Sequence, residues 1–486
     1  MDVQSQRAGA RDDPPPRLQG SIRPYGYFAL AFGGIVGSGW IVVLGDWLKV
    51  AGPGGAVLGL LCGGLLMTLV CACYAELAAR FPQAGGEVLY AMRSLGRGPA
   101  FAVAWFLIFN FIAVCAFEGI ALTWFVQTLL PGTTGPLLYT MMGEKITLGG
   151  VLIGLLGVAL TGALNYRGAR LAVAFQSVVT YSFIALTAVV ITMGFVFGQP
   201  ANLQPAFAAL DPGKSWFSGA IWIGASSALF MSGFQVAPYA IEERHRDTSV
   251  RSVIFAMLLG VIGAALFYCG IVLSSASAAP WGALVSENLP AAAAFGALTP
   301  GGWLGTVVIA VATVSLFKTW NCTLLAVTRL VFAQCQLGFL PRVFGTIHPR
   351  FGSPSVAIAC IAALNAVAVL LGRGALLPIV NMCSTFLALI FLVVLYILYR
   401  ERKENPGTPV FVVAAGRILI PVGMAALAAV SAALIHEPWE RAGGKVPFEW
   451  ILVLGWALLG AALFGFIGRR TAVHPTDEAR PLTRSS

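Results

Sequence analysis

Uncharged apolar runs, each long enough to cross a lipid bilayer, repeat along this chain almost from end to end. A helix needs about 20 mainly apolar residues to span the hydrocarbon core. Twelve runs meet that need, at 24–45, 53–79, 99–130, 147–166, 169–198, 216–240, 250–275, 301–335, 354–371, 375–399, 413–435 and 448–468. The third and eighth exceed it, which implies tilt or helix continuing beyond the bilayer. Spanning strands would instead alternate apolar and polar residues over about 10 positions. Composition agrees: 58% of residues are hydrophobic and 10% charged, against about 45–50% and about 25% in soluble domains. A soluble enzyme is thereby excluded. The nine cysteines lie in or beside apolar stretches with no CxxC pair and read as packing residues. The four histidines fall in loops or at span ends, so neither a metal site nor a cofactor is expected.

Lys and Arg placement orients the spans. With the N-terminus inside, 23 of the 30 Lys and Arg fall on the cytoplasmic side, six outside, and Lys318 on neither. A topology shifted by one span would scramble that asymmetry. Both termini are therefore expected in the cytoplasm, and the protein in the cell (inner) membrane. The net charge of +10 reads as this bias facing anionic lipid head groups, so no nucleic-acid partner is expected. Residues 1–22, with Asp12-Asp13-Pro14-Pro15-Pro16, are expected to be a disordered cytoplasmic tail rather than a cleaved signal peptide; a regulatory docking site is the lesser alternative.

Two spans are interrupted at matching places. Span one carries Gly33-Gly34-Ile35-Val36-Gly37-Ser38-Gly39-Trp40, and span six carries Phe230-Met231-Ser232-Gly233-Phe234-Gln235-Val236-Ala237-Pro238. Gly/Pro-interrupted stretches at corresponding points of two halves point to the binding site of a secondary transporter. A helix that breaks in mid-membrane frees N–H and C=O groups that something must satisfy. A zwitterion can do so, its carboxylate on a helix N-terminus and its ammonium on carbonyls. Gly33-x-x-x-Gly37 alone fits ordinary close packing of helices better. The match between halves shifts the balance, since Gly37 and Gly233 are 196 residues apart and a repeat running 24–198 and then 216–399 nearly fits that offset.

The run Gly34-Ile35-Val36-Gly37-Ser38-Gly39 resembles the first-helix motif of the amino acid–polyamine–organocation (APC) transporters. So do Ala51-Gly52-Pro53, Tyr74-Ala75-Glu76-Leu77, Arg80-Phe81-Pro82, Ala84-Gly85-Gly86 and Asn165-Tyr166-Arg167-Gly168. Further on, Gly233-Phe234, Glu242-Glu243, Arg329, Gly338-Phe339-Leu340-Pro341, His348-Pro349-Arg350 and Ser353-Pro354 follow in order. The resemblance implies an all-α membrane protein of twelve transmembrane helices in a five-plus-five inverted repeat (LeuT-like), with helices 1 and 6 discontinuous, working by alternating access. The units would be a first repeat over 23–198, a second over 199–403, two peripheral helices over 404–470 and a cytoplasmic tail over 471–486. It further implies that the amides of Ser38 and Gly39 hold a carboxylate and the carbonyls of Ile35 and Ser232 an ammonium. Val36, Gly37 and Gly233 complete the breaks, and Phe230 is the aromatic gate, with Leu229 or Met231 as alternatives. Trp40 faces the substrate or packs. Two departures stand out: Gln235 where many members have an acid, and no lysine around Thr180-Tyr181-Ser182-Phe183 in span five.

Only one acid and one base sit deep in a span: Glu118 and Lys318, in spans three and eight. Each unpaired charge costs about 2.5–3.5 kcal/mol at a helix centre. Counted from the cytoplasmic ends of their spans, both lie at a depth of roughly 25–29 Å, and they are expected to approach each other directly or through water. A structural ion pair, a proton-coupling lysine and a Glu118 counter-ion to a substrate amine all remain open; sodium coupling is not excluded. Asn110, Gln176 and Asn321 read as helix-packing groups. Ser286-Glu287-Asn288-Leu289-Pro290 opens an outside stretch that is a lid or a connector. The function expected is import or exchange of an amino acid, with an amine or polyamine permease as the alternative. A channel would need a continuous polar lining, and an enzyme a catalytic constellation; the spans offer neither. The partners expected are a small-molecule substrate and the lipid bilayer. A disulfide-linked heavy chain is not expected, because the external loop 131–146 has no cysteine.

Overall fold

The structure is a computed structural model that describes residues 21–468, apart from 84, 142, 212, 373, 375, 408, 442 and 444. Most of the expected N-terminal tail, and the whole of the C-terminal one, lie outside the described residues. Helix dominates: α1 (Pro24–Ile35), α2 (Gly39–Val42), α3 (Leu44–Arg80), α4 (Gly86–Ser94), α5 (Arg97–Leu129), α6 (Leu148–Tyr166), α7 (Ala169–Phe197), α8 (Trp216–Phe230), α9 (Val236–Tyr239) and α10 (Val250–Ala278). Then come α11 (Trp281–Leu284), α12 (Pro290–Gly296), α13 (Trp303–Gln336), α14 (Ser355–Val369), α15 (Leu376–Glu404), α16 (Gly416–Arg441) and α17 (Phe448–Gly468). Ten helical segments among the described residues are long and apolar enough to cross a membrane. Helices α8 and α14 have 15 residues each and are shorter, about 22 Å at 1.5 Å per residue.

One element was not expected of an all-α chain. An exposed antiparallel hairpin, β1 (Leu137–Met141) with β2 (Glu144–Thr147), lies between α5 and α6. Strand-forming residues flank Gly143, whose φ of +81° turns the chain. The hairpin is fastened where the Tyr139 hydroxyl donates to the Leu370 carbonyl at 2.6 Å. Spans one and two also join differently from expectation. Helix α3 carries the end of one and all of the other, bent at Gly52 with φ +67°. A Cβ there would lie 2.9 Å from the Ala206 oxygen, and Pro53 restarts the helix without needing its missing N–H.

Two helix groups face each other. Helices α1, α3, α8 and α10 pack together, α5, α6, α13 and α14 form the second group, and α7 touches α1, α10 and α13. Large apolar side chains cover the outside, Leu152, Leu156 and Leu160 forming one stripe on α6. Polar groups such as Glu118, Lys318, Asn321, Gln176 and Asn165 are inside. That inversion of the soluble pattern is what a hydrocarbon solvent demands.

Candidate substrate site

The site forms where two helices stop in mid-course and meet. Helix α1 ends at Ile35, the chain is non-helical over 36–38, and α2 starts at Gly39. Helix α8 ends at Phe230 and α9 starts at Val236. The breaks touch: a Cβ on Gly34 would lie 3.0 Å from the Gly233 oxygen, so a side chain at Gly34 would crowd the contact. Gly233 itself has φ +124°, a conformation that favours glycine. The Gln235 side-chain oxygen accepts from the Gly233 amide at 2.5 Å and so braces the second break.

A cavity with about 570 Å³ of empty space, open mouth included, lies at this junction. Gly34, Ile35, Gly37, Ser38 and Gly39 line it from the first break, and Phe230 and Ser232 from the second. Glu118, Val114 and Phe117 come from α5, Tyr268 from α10, Thr319 from α13, and Ile379 and Cys383 from α15. Three of the sequence-proposed residues lie elsewhere. Val36 is fully buried and presents its carbonyl to α13, and Met231 is fully buried with its sulfur toward Gly64 on α3. Gly233 meets Gly34 backbone to backbone. The side chain of Leu229 lies outside the described residues. Trp40 packs edge-on to Phe267 at 5.8 Å and against Phe183 at 6.3 Å, so it is a wall residue behind the site. Phe230 lies over Gly39, whose Cβ would come 3.0 Å from its ring, and is backed edge-on by Trp47 at 5.4 Å.

Glu118 and Lys318 both reach the first break but form no direct pair. No ion pair links them among the described residues. Ser38 Oγ donates to Glu118 Oε2 at 3.0 Å. The Lys318 ammonium donates to the Val36 carbonyl and, at 3.3 Å, to that of Gly33, and lies 4.6 Å over the Phe183 ring. Breaking a helix frees carbonyls at its C-terminal end, and these took the ammonium that the carboxylate was expected to take. Hydroxyls of α13 reinforce the same edge, Thr319 donating to Gly33 O at 3.2 Å and Ser315 to Gly37 O at 3.2 Å. On the other side, Gly37 and Ser38 lead into α2 at Gly39, and the amides of these three residues have no backbone carbonyl partner among the described residues.

Sequence reasoning missed Tyr268, whose hydroxyl donates to Phe230 O at 3.1 Å and Ile35 O at 3.3 Å and so ties both breaks together. A polar ring inside an otherwise apolar span seven was its only signal. Asn321, Gln176 and Asn165 form a packing network, with Asn321 Nδ2 2.9 Å from Gln176 Oε1 and Asn165 Nδ2 3.0 Å from Asn321 Oδ1. The stretch opened by Ser286 folds into α12, and Pro290 packs where a Cβ on Gly45 would come within 3.0 Å.

The sequence profile of the amino acid permeases matches residues 24–463. The chain belongs to the amino acid permease family, within the APC superfamily. This permease is 27% identical over 385 residues to the human cationic amino acid transporter 4, covering 78% of this chain and 59% of that one. It is 24% identical to the aspartate-proton symporter of Bacillus subtilis, over 70% of this chain and 65% of the relative. The methylthioribose transporter of the same bacterium is 25% identical, over 78% and 80% respectively. The chain thus spans about three fifths of the length of the first curated relatives it matches. The family and these relatives are permeases and transporters, not enzymes, and the permease is a multi-pass membrane protein.

Proposed function

We propose that this permease is a secondary active transporter of amino acids, an importer or exchanger working by alternating access. The observation that carries the reading is the cavity where the two helix breaks meet, with free amides at 37–39 and Glu118 on its wall. The substrate carboxylate binds the amides of Ser38 and Gly39 at the positive end of the restarted helix. Its ammonium binds the Glu118 carboxylate and the carbonyls of Ile35 and Ser232. Phe230 closes over the bound molecule from above Gly39. Counting α8 with α9 as one span and α14 as another brings the ten long segments to twelve, arranged as a five-plus-five inverted repeat with α16 and α17 peripheral. The Arg80–Arg402 end faces the cytoplasm, as do both termini. The group containing α1 and α8 then moves against the group containing α5 and α13.

Lys318 is the coupling group in this reading. Its ammonium clamps α13 to the first break, so deprotonation would release that clamp and let α1 move. Lys318→Met is expected to keep amino acid exchange but lose accumulation driven by a pH gradient. If the gradient-driven uptake persists in that variant, or if sodium alone drives it, the coupling role is wrong.

A second reading keeps the fold and exchanges the ligand for an amine. It draws support from Glu118 being the one charged side chain among the lining residues. A thermal-shift screen of the purified protein separates the two, because a ligand at 100 times its dissociation constant adds about 2.7 kcal/mol to the folded state. Stabilisation by L-amino acids but not by their decarboxylated amines supports carboxylate capture at Ser38-Gly39. Stabilisation by amines alone overturns it.

A further inference from the structure

Resting on the amino acid reading, we propose that the cavity selects zwitterions without net charge that carry an aliphatic side chain, and rejects both cationic and anionic amino acids. The charge balance around the breaks is the first reason. Among the described residues Glu118 is the only charged one in the lining, and Lys318, behind the break and fully buried, is satisfied by the carbonyls of Gly33 and Val36. One acid and one base therefore flank the unwound segment, and an amino acid with an uncharged side chain adds no net charge to it. The backbone amides and Glu118 are used by the substrate's own carboxylate and ammonium. A charged side chain would arrive with no counter-charge left, in a place where unpaired charges are costly.

The second reason is the wall itself. Apart from Glu118, what α5 and α15 contribute is Val114, Phe117, Ile379 and Cys383. Ile379 and Cys383 belong to a buried apolar cluster with Ala113, Ala116 and Ile120, and Val114 and Phe117 pack against that cluster. Cys383 is further fixed by its carbonyl, which accepts from Asn110 Nδ2 at 3.2 Å, so the wall is packed in place. A methylene-sized difference in such a wall discriminates by about 10–200-fold, and an uncompensated charge by about 100-fold or more.

Competition for exchange in proteoliposomes tests this, with L-alanine, L-valine, L-leucine, L-lysine and L-aspartate as competitors. At least one of the three neutral residues is expected to compete at least about 100-fold more strongly than L-lysine or L-aspartate. Lysine or aspartate competing within about threefold of the best neutral residue overturns the selectivity while leaving amino acid transport standing. No exchange and no competition by any amino acid overturns both. Ile379→Asp supplies the missing counter-charge, and L-lysine competition is expected to strengthen by about tenfold relative to L-leucine. Val114→Asp makes the same test from α5 should the first variant fail to fold. An unchanged lysine-to-leucine ratio in a folded variant removes the apolar wall as the selector.

Discussion

Two regions of this permease bury charge in opposite ways. At the end that carries Arg80 and Arg402, acids and bases meet directly. Arg329 Nε lies 3.0 Å from Glu243 Oε1 with both side chains 2% exposed. Glu76 is held by Arg80 at 3.0 Å, by Arg402 and by the Val413 amide at 2.9 Å. At the breaks, Glu118 and Lys318 are equally buried, yet one is held by a serine hydroxyl and the other by backbone carbonyls. The difference is one of availability. A direct pair consumes both charges and fixes two helices, the Glu243–Arg329 pair joining α13 to the turn after α9. Charges held by neutral groups keep their electrostatic demand, so a zwitterion can answer it. The Arg80–Arg402 end uses its charges to hold the fold together, and the breaks leave theirs for the proposed ligand.

Removing one partner should therefore damage the fold at the Arg80–Arg402 end and the function at the breaks. The largest expected effect is Arg329→Met, which leaves Glu243 buried without its base and should cost about 3–5 kcal/mol of stability. The double variant Arg329→Met with Glu243→Gln should recover most of it in thermal unfolding. If the single variant is as stable as the parent, the pair is not structural. Glu118→Gln is expected to leave the melting temperature unchanged or raise it, because a neutral isostere removes a buried charge, yet weaken substrate binding about 100-fold. Loss of stability without loss of affinity would reverse the comparison. Ser38→Ala removes one hydrogen bond to a charged group, about 1.5–3 kcal/mol, and binding isotherms should show affinity falling roughly tenfold or more while expression holds. Asn110→Ala should be nearly silent, about 0.6 kcal/mol of stability for one interhelical bond in a membrane.

Much of this was legible before any helix was placed. Apolar run length marked the long helices, of which ten among the described residues are long and apolar enough to span a membrane, since hydrocarbon leaves the backbone no other partner. Glycines 33, 34, 37 and 39 marked the first break, and Gly233 with Pro238 the second. Charge rarity singled out Glu118 and Lys318. The hairpin was missed because its strands are short and lie between two runs that carry the stronger signal, and Tyr268 because one tyrosine in a span does not announce which way it points. Val36 and Met231 were assigned to the site by nearness along the chain, but successive residues of a broken helix face different neighbours, and these two face α13 and α3.

The sequence alone therefore determined that the chain lives in a membrane, where its helices break and which charges are buried there. The tertiary structure alone decided what each charge holds. Equal depth along two spans suggested that Glu118 and Lys318 would pair, but depth leaves open what lies between two helices. The unwound segment 36–38 lies there, and its freed carbonyls and the Ser38 hydroxyl are closer partners than the opposite charge. Contacts between distant parts of a chain depend on how the helices are rotated and stacked, and that is set by packing the whole bundle at once.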